Sequence, residues 1–199
     1  MITITKTITK LISHLLKHLD VRASNYLLDI YNALLIEGHF FCLNLSKTCM
    51  RSIIQRVSHG SVVVDQKEVG KIGKGYLILL GIEVEDSNED AEWLANKIVA
   101  LRIFSDEKGL MNKSIIDVDG SVLVVSQFTL HAKYKKGTRP SFIRAAKPEQ
   151  AIPLYEAFCK ELENLTGKVT QTGEFGADMD VHLTNDGPVT IIIDTKNKE

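Results

Sequence analysis

The residues with most chemical potential stand in two short polar segments set among apolar runs: Ser126-Gln127-Phe128-Thr129-Leu130 and Asn185-Asp186-Gly187-Pro188-Val189-Thr190. Ser126 and Thr129 offer hydroxyls, so the chemistry they suggest is acyl transfer or ester hydrolysis. A hydroxyl attacks only when a base takes its proton. His131 and His182 lie close to the two segments in sequence, but Ser126 lacks the Gly-x-Ser-x-Gly elbow. A serine triad therefore rests on residue types alone, and a surface or hydrogen-bonded histidine is the commoner reading. A small-molecule esterase using Ser126 stays open as an alternative, and so does Thr129 as a covalent nucleophile.

Other constellations carry less. Gly70, Gly73 and Gly75 are not followed by Lys-Ser/Thr and do not open a helix, so they read as turns and not as a phosphate loop. Cys42, Cys49 and Cys159 are odd in number, and His39 with Cys42 and Cys49 lacks a fourth ligand. No metal and no cofactor is expected. The chain has 199 residues, 44% hydrophobic and 25% charged, with a formal charge of -1 and 7% aromatics. That is ordinary globular composition for one domain with a real core. It speaks against a noncatalytic RNA-binding module, which needs a basic surface with interleaved aromatics. RNA contacts must come from a local patch, and residues 133–140 form the one obvious basic loop.

These segments must be positioned by the elements around them. Before Met50, Leu11, Ile12, Leu15, Leu16 and Leu19 recur at helical spacing without strand alternation. The apolar run of residues 33–43 is broken by Glu37 and His39, too short for a membrane span. Nothing there resembles a transit peptide or signal, so a cytoplasmic protein is expected. After Met50 the pattern turns to β-branched runs with glycine joints. Residues 51–65 read as a strand with a kink at Gly60. Residues 68–72 and 76–82 give two more, with 77–80 buried on both faces. A helix capped by Asn88 runs to Arg102 with Trp93 in the core, and another spans 148–165. Between them, 122–125 is a short buried strand whose end delivers Ser126. The tail gives strands at 168–172 and 179–184, a turn at Asn185-Asp186-Gly187, and a last strand at 189–194. The expectation is an α+β domain of curved, mostly antiparallel, barrel-like sheets with two main helices.

Taken together with Gln55-Arg56-Val57 and Phe175-Gly176-Ala177-Asp178-Met179, the two polar segments closely resemble the D-aminoacyl-tRNA deacylase family. Four matches in one order run from Met50 to about Asp194. Residues 1–49 have no counterpart in that pattern and read as an N-terminal extension, with an upstream start chosen in error as the leading explanation. The domain would be 50–199.

The resemblance implies an editing hydrolase that removes D-aminoacyl groups, and glycine mischarged on tRNA(Ala), from tRNA. It implies a homodimer in which a cis Gly187-Pro188 pair of one subunit enters the active site of the other, held by Arg56 and supported by Thr190. Ser126, Gln127 and Phe128 would bind the terminal adenosine and aminoacyl group, with Thr129 in the pocket. A rigid backbone against the substrate α-carbon rejects L side chains by overlap and needs no pocket fitted to any one D side chain. No base for Thr129 stands out, so the tRNA 2'-hydroxyl is expected to assist the hydrolysis.

Overall fold

In the computed structural model, residues 49–135 and 137–197 are described. The expected helix over 11–19 and the run at 33–43 lie outside them. Strands β1 (Arg51–Val64), β2 (Lys67–Ile72) and β3 (Gly75–Gly81) come first, followed by helix α1 (Asn88–Val99). The short hairpin of β4 (Phe104–Ser105) and β5 (Met111–Lys113) precedes β6 (Ser121–Ser126) and a 3-10 turn, Phe128–His131. Helix α2 (Pro148–Thr166), β7 (Gln171–Thr172) and β8 (Asp180–Asp194) complete the domain.

The main sheet runs β2-β1-β3-β6-β7, with β8 on the far edge of β1. β1 pairs antiparallel with β2, β3 and β8, while β3 with β6 and β6 with β7 are parallel. The two ends of the order return toward each other. A side chain on Gly70 in β2 would stand 2.4 Å from the carbonyl oxygen of Thr172 in β7, an approach only glycine permits. The sheet is thus nearly closed, as the curved, barrel-like expectation required.

Why β3 and β6 are apolar throughout follows from their alternation. Tyr76, Ile78, Leu80, Val122 and Val124 join a core with Leu94 and Ile98 of α1 and Phe158 and Leu162 of α2. Leu77, Leu123 and Val125 point to the other face, into a smaller core with Val57, Val62 and Ile72. Leu77, Ile78 and Leu80 are buried and Leu79 is half-buried. Each fully buried side chain of this kind stabilises the fold by roughly 1.5–3 kcal/mol.

Several boundaries differ from expectation. Ser87, not Asn88, caps α1, in a reciprocal capping box with Asp90. The helix stops at Val99, before Arg102, whose guanidinium instead donates to the carbonyl of Asn112. Trp93 packs on the core only in part. The strand expected at 168–172 shrinks to Gln171–Thr172. β1 passes through Gly60 unbroken. Its irregular pairing with β8 falls between Gln55 and His59. No turn reverses the chain at Asn185-Asp186-Gly187, since both halves of β8 pair with the same strand in the same sense. Among the described residues no helix is long and apolar enough to cross a membrane.

Candidate active site

At its C-terminal end β6 leaves the sheet beside Leu80 of β3, and the chain tightens at once into the 3-10 turn. The Gln127 N–H donates to the Leu80 carbonyl at 2.7 Å, which ties the turn to the sheet. Ser126, Gln127 and Phe128 thereby line a cavity of about 580 Å³. The opposite walls come from Phe142, Ala145 and Ala146, from the start of α2 at Pro148, and from residues 175–179 ahead of β8. Phe128 and Phe142 meet edge to face, 5.1 Å between centroids, and Phe175 meets Tyr155 of α2 likewise at 5.6 Å. The result is an apolar box with a polar edge, the usual make-up of a small-molecule or terminal-nucleotide pocket. The structure brings the segments 126–128 and 175–179 into one site.

Thr129 sits just outside that lining and is exposed. Its Oγ1 accepts a hydrogen bond from Gln127 Nε2 at 2.5 Å. Neither Ser126 nor Thr129 has a histidine or carboxylate partner among the described residues. His131 is turned away: its Nδ1 lies 3.2 Å from Glu83 Oε1, both side chains buried. Burial lowers the imidazole's pKa, against the pull of Glu83 toward the charged form. His182 is exposed on β8, opposite Ser61. The triad alternative thus finds no base in place.

The second polar segment builds a different feature. Gln55 of β1 faces Thr190, and Val57 faces Asn185, so five steps along β8 match two along β1. The surplus backbone of Asp186, Gly187 and Pro188 bulges outward, all three residues exposed. The Gly187-Pro188 peptide is cis. Asn185 closes the neck: its Oδ1 accepts the Val189 N–H at 2.8 Å and its Nδ2 donates to Thr190 Oγ1 at 3.1 Å. Arg56, 7% exposed, fixes the bulge from beneath. Its Nε donates to the Asp186 carbonyl at 2.9 Å and lies 3.2 Å from that residue's carboxylate, while Nη1 donates to the Ile103 carbonyl at 2.5 Å. Within their segment, sequence alone assigns no role to Asn185 or Asp186. Asn185 had a signal, since Asn side chains readily bond backbone groups a few residues on.

Gly187 and Pro188 are not among the residues lining the cavity of their own chain. Among the described residues no group of three or more His, Cys, Asp or Glu gathers as a metal site, and His39 and Cys42 lie outside them.

The fold defines the class first. It matches a probable eukaryotic D-amino acid tRNA deacylase with a TM-score of 0.64 at 19% identity, over 73% of this chain and 99% of that one. It also matches the c-Myc DNA unwinding element binding protein with a TM-score of 0.68 at 41% identity, over 72% and 97%. The class is thus a nearly closed α+β barrel flanked by two helices. Within it the family model for D-Tyr-tRNA(Tyr) deacylase matches residues 53–194. D-aminoacyl-tRNA deacylases of Bacteroides fragilis and Flavobacterium johnsoniae are 65% and 60% identical to this chain, each over 150 residues, 75% of this chain and the whole of the relative. The chain belongs to the D-Tyr-tRNA(Tyr) deacylase family.

Proposed function

We propose that this protein is a cytoplasmic editing enzyme that hydrolyses the ester of D-aminoacyl-tRNA and leaves L-aminoacyl-tRNA intact. Family membership supports the reaction. The observation that carries the chirality reading is the exposed Gly187-Pro188 bulge, locked by Arg56 and Asn185 yet absent from its own chain's cavity. A second copy presenting this bulge at the mouth of the cavity would set rigid backbone against the substrate α-carbon. Overlap then excludes an L side chain, while hydrogen or a D side chain clears it, so glycine mischarged on tRNA(Ala) is also a substrate.

Ser126, Gln127 and Phe128 hold the terminal adenosine and aminoacyl group, and Thr129 stiffens the turn through Gln127. Hydrolysis needs little help from side chains, because the ester is activated and the neighbouring ribose 2'-hydroxyl is already adjacent. Holding an intramolecular group in position can be worth effective molarities of about 10⁵ M or more. Residues 50–199 carry all of this, and residues 1–49 are an extension without a part in it. Incubating the protein with matched D- and L-aminoacyl-tRNA and following the surviving ester tests the reading. Loss of the D ester alone is expected, and equal loss of both esters, or of neither, refutes it.

A further inference from the structure

Between Asp119 and Glu149 the sequence contains no acidic residue, yet it contains Lys133, Lys135, Lys136, Arg139, Arg144 and Lys147. In a chain with 24 basic and 25 acidic residues, that is a local excess of one sign. Arg144 is neutralised by Glu83, with Nη2 2.6 Å from Oε1. Lys133, Lys135, Arg139 and Lys147 are exposed, and none forms an ion pair among the described residues.

Their placement ties this charge to the cavity. Lys133 and Ser141 exchange backbone hydrogen bonds of 2.8 and 2.9 Å as an antiparallel bridge, so the chain between them reverses direction. One arm continues from the 3-10 turn of the site, and the other runs straight into Phe142 and then Ala145, Ala146 and Lys147 of the cavity wall. The Phe128-Phe142 contact clamps the two arms together at the rim. Tyr134, 77% exposed, stands beside the cations. Lys147 also precedes the first turn of the 19-residue helix α2, whose N-terminus adds a positive end at the same rim.

We propose that Lys133, Lys135 and Arg139 form a landing surface for the phosphate backbone of the tRNA acceptor end, steering its 3' terminus into the cavity. This rests on the deacylase reading for the identity of the nucleic acid. The physical reason is that unpaired cations of one sign beside a concave site focus the field for a polyanion whose end must enter it. Such a surface reads backbone and not sequence, which suits an enzyme that must accept tRNAs of differing sequence.

The test compares the wild-type chain with a triple variant, Lys133→Glu, Lys135→Glu and Arg139→Glu, and with the same positions changed to Gln. Binding of uncharged tRNA is followed by fluorescence anisotropy across a salt series. Hydrolysis is followed on D-aminoacyl-tRNA and on a short D-aminoacyl ester of adenosine. The Glu variant should bind tRNA on the order of tenfold or more weaker, with a smaller loss for the Gln variant. Three lost phosphate contacts should flatten the slope of log K against log salt by about 2–3. Turnover of the short ester should be unchanged, which also shows that the variant is folded. Unaltered tRNA affinity and salt slope, equal loss on the short ester, or no tRNA binding by the wild type would each overturn the proposal. Failure of the deacylase reading looks different: tRNA binds through the loop while its D-aminoacyl ester survives.

Discussion

At Gly187 the backbone adopts φ +133°, a region closed to most L residues. A Cβ there would stand 2.8 Å from Val189 Cγ2 and 2.9 Å from Arg56 Nη2. Gly187→Ala must therefore push on the guanidinium that anchors the bulge. Deacylation of D-aminoacyl-tRNA should fall by at least about tenfold, because misplacing a positioning group by an ångström or so costs rate steeply. The exposed bulge adds little to the core, so the melting temperature should move by only a few degrees. A variant with wild-type kcat/KM would remove Gly187 from the site. The hydroxyls call for the opposite outcome. With Thr129 Oγ1 bonded to Gln127 and no base beside Ser126 among the described residues, Thr129→Ala and Ser126→Ala should each retain substantial turnover. A D-aminoacyl-tRNA ending in 2'-deoxyadenosine should bind and resist hydrolysis. An acyl group trapped on Thr129, or rapid cleavage of the deoxy substrate, would return the chemistry to the protein.

At the scale of elements, β8 shows what a local pattern can and cannot reveal. Asn-Asp-Gly between two β-branched runs obeys the rules for a hairpin turn, and the runs themselves were placed to within a residue or so. The reversal fails because β1 is 14 residues long and offers one continuous edge to both halves of β8. Which edge lies free is a tertiary fact with no local sequence mark. The placement of 126–128 is legible for the converse reason, since a buried strand ending in polar residues exposes them wherever the sheet ends, whereas Thr129, expected in the pocket, falls just outside its lining. The buried cluster around Glu83 was not legible, since it joins Cys49, Asp86, His131 and Arg144 from four stretches of chain. Asp86, between β3 and α1, yields a prediction there. Burial, with Asp90 and Glu83 adding to it, lifts its carboxyl from 3.8 to about 7, although the Glu83 N–H bond opposes the shift. Its Oδ1 is buried without a hydrogen-bond partner among the described residues. A folded pKa above the unfolded one contributes stability that is present below about pH 4 and lost as pH rises through about 7. Asp86→Asn should therefore gain in melting temperature relative to wild type on going from pH 5 to pH 8. A difference that stays flat across that range would show that the carboxyl does not titrate there.

For the whole molecule, the family match spans 53–194, and the two cores can be built from described residues, the first of them Met50. A chain starting at Met50 gives up, among the described residues, only Cys49, whose N–H donates to Glu83 and whose thiol donates to Asp194. The new α-ammonium at Met50 would arise one residue from the N–H that Glu83 now accepts, offering that carboxylate a replacement donor. This shorter chain should fold, melt within a few degrees of the full one and keep full activity. A large loss of thermal stability would show instead that the extension packs on the domain. The second expectation at this scale is a two-fold homodimer with two equivalent sites. Among the described residues β8 pairs only with β1, and unpaired edges that stay bare invite uncontrolled pairing, so its other side calls for a cover. Beyond the bulge, the same strand carries Ile191, Ile192 and Ile193, which with Ile53, Leu101 and Leu130 form the apolar part of a groove whose edges also carry Arg51, Lys97 and Asp194. Ile192 is 66% exposed. A second copy covering this face would bury the exposed Ile192 and bring Gly187 and Pro188 to the partner's cavity, since they do not line the cavity of their own chain. Ile192→Asp places a charge in that contact and should shift sedimentation toward monomer, with deacylation falling in parallel. Gly187→Ala should lose activity while remaining dimeric, which separates the bulge from the interface. A wild-type monomer with full activity, or an Ile192→Asp monomer that still edits, would mean that each chain completes its own site and that the bulge acts some other way.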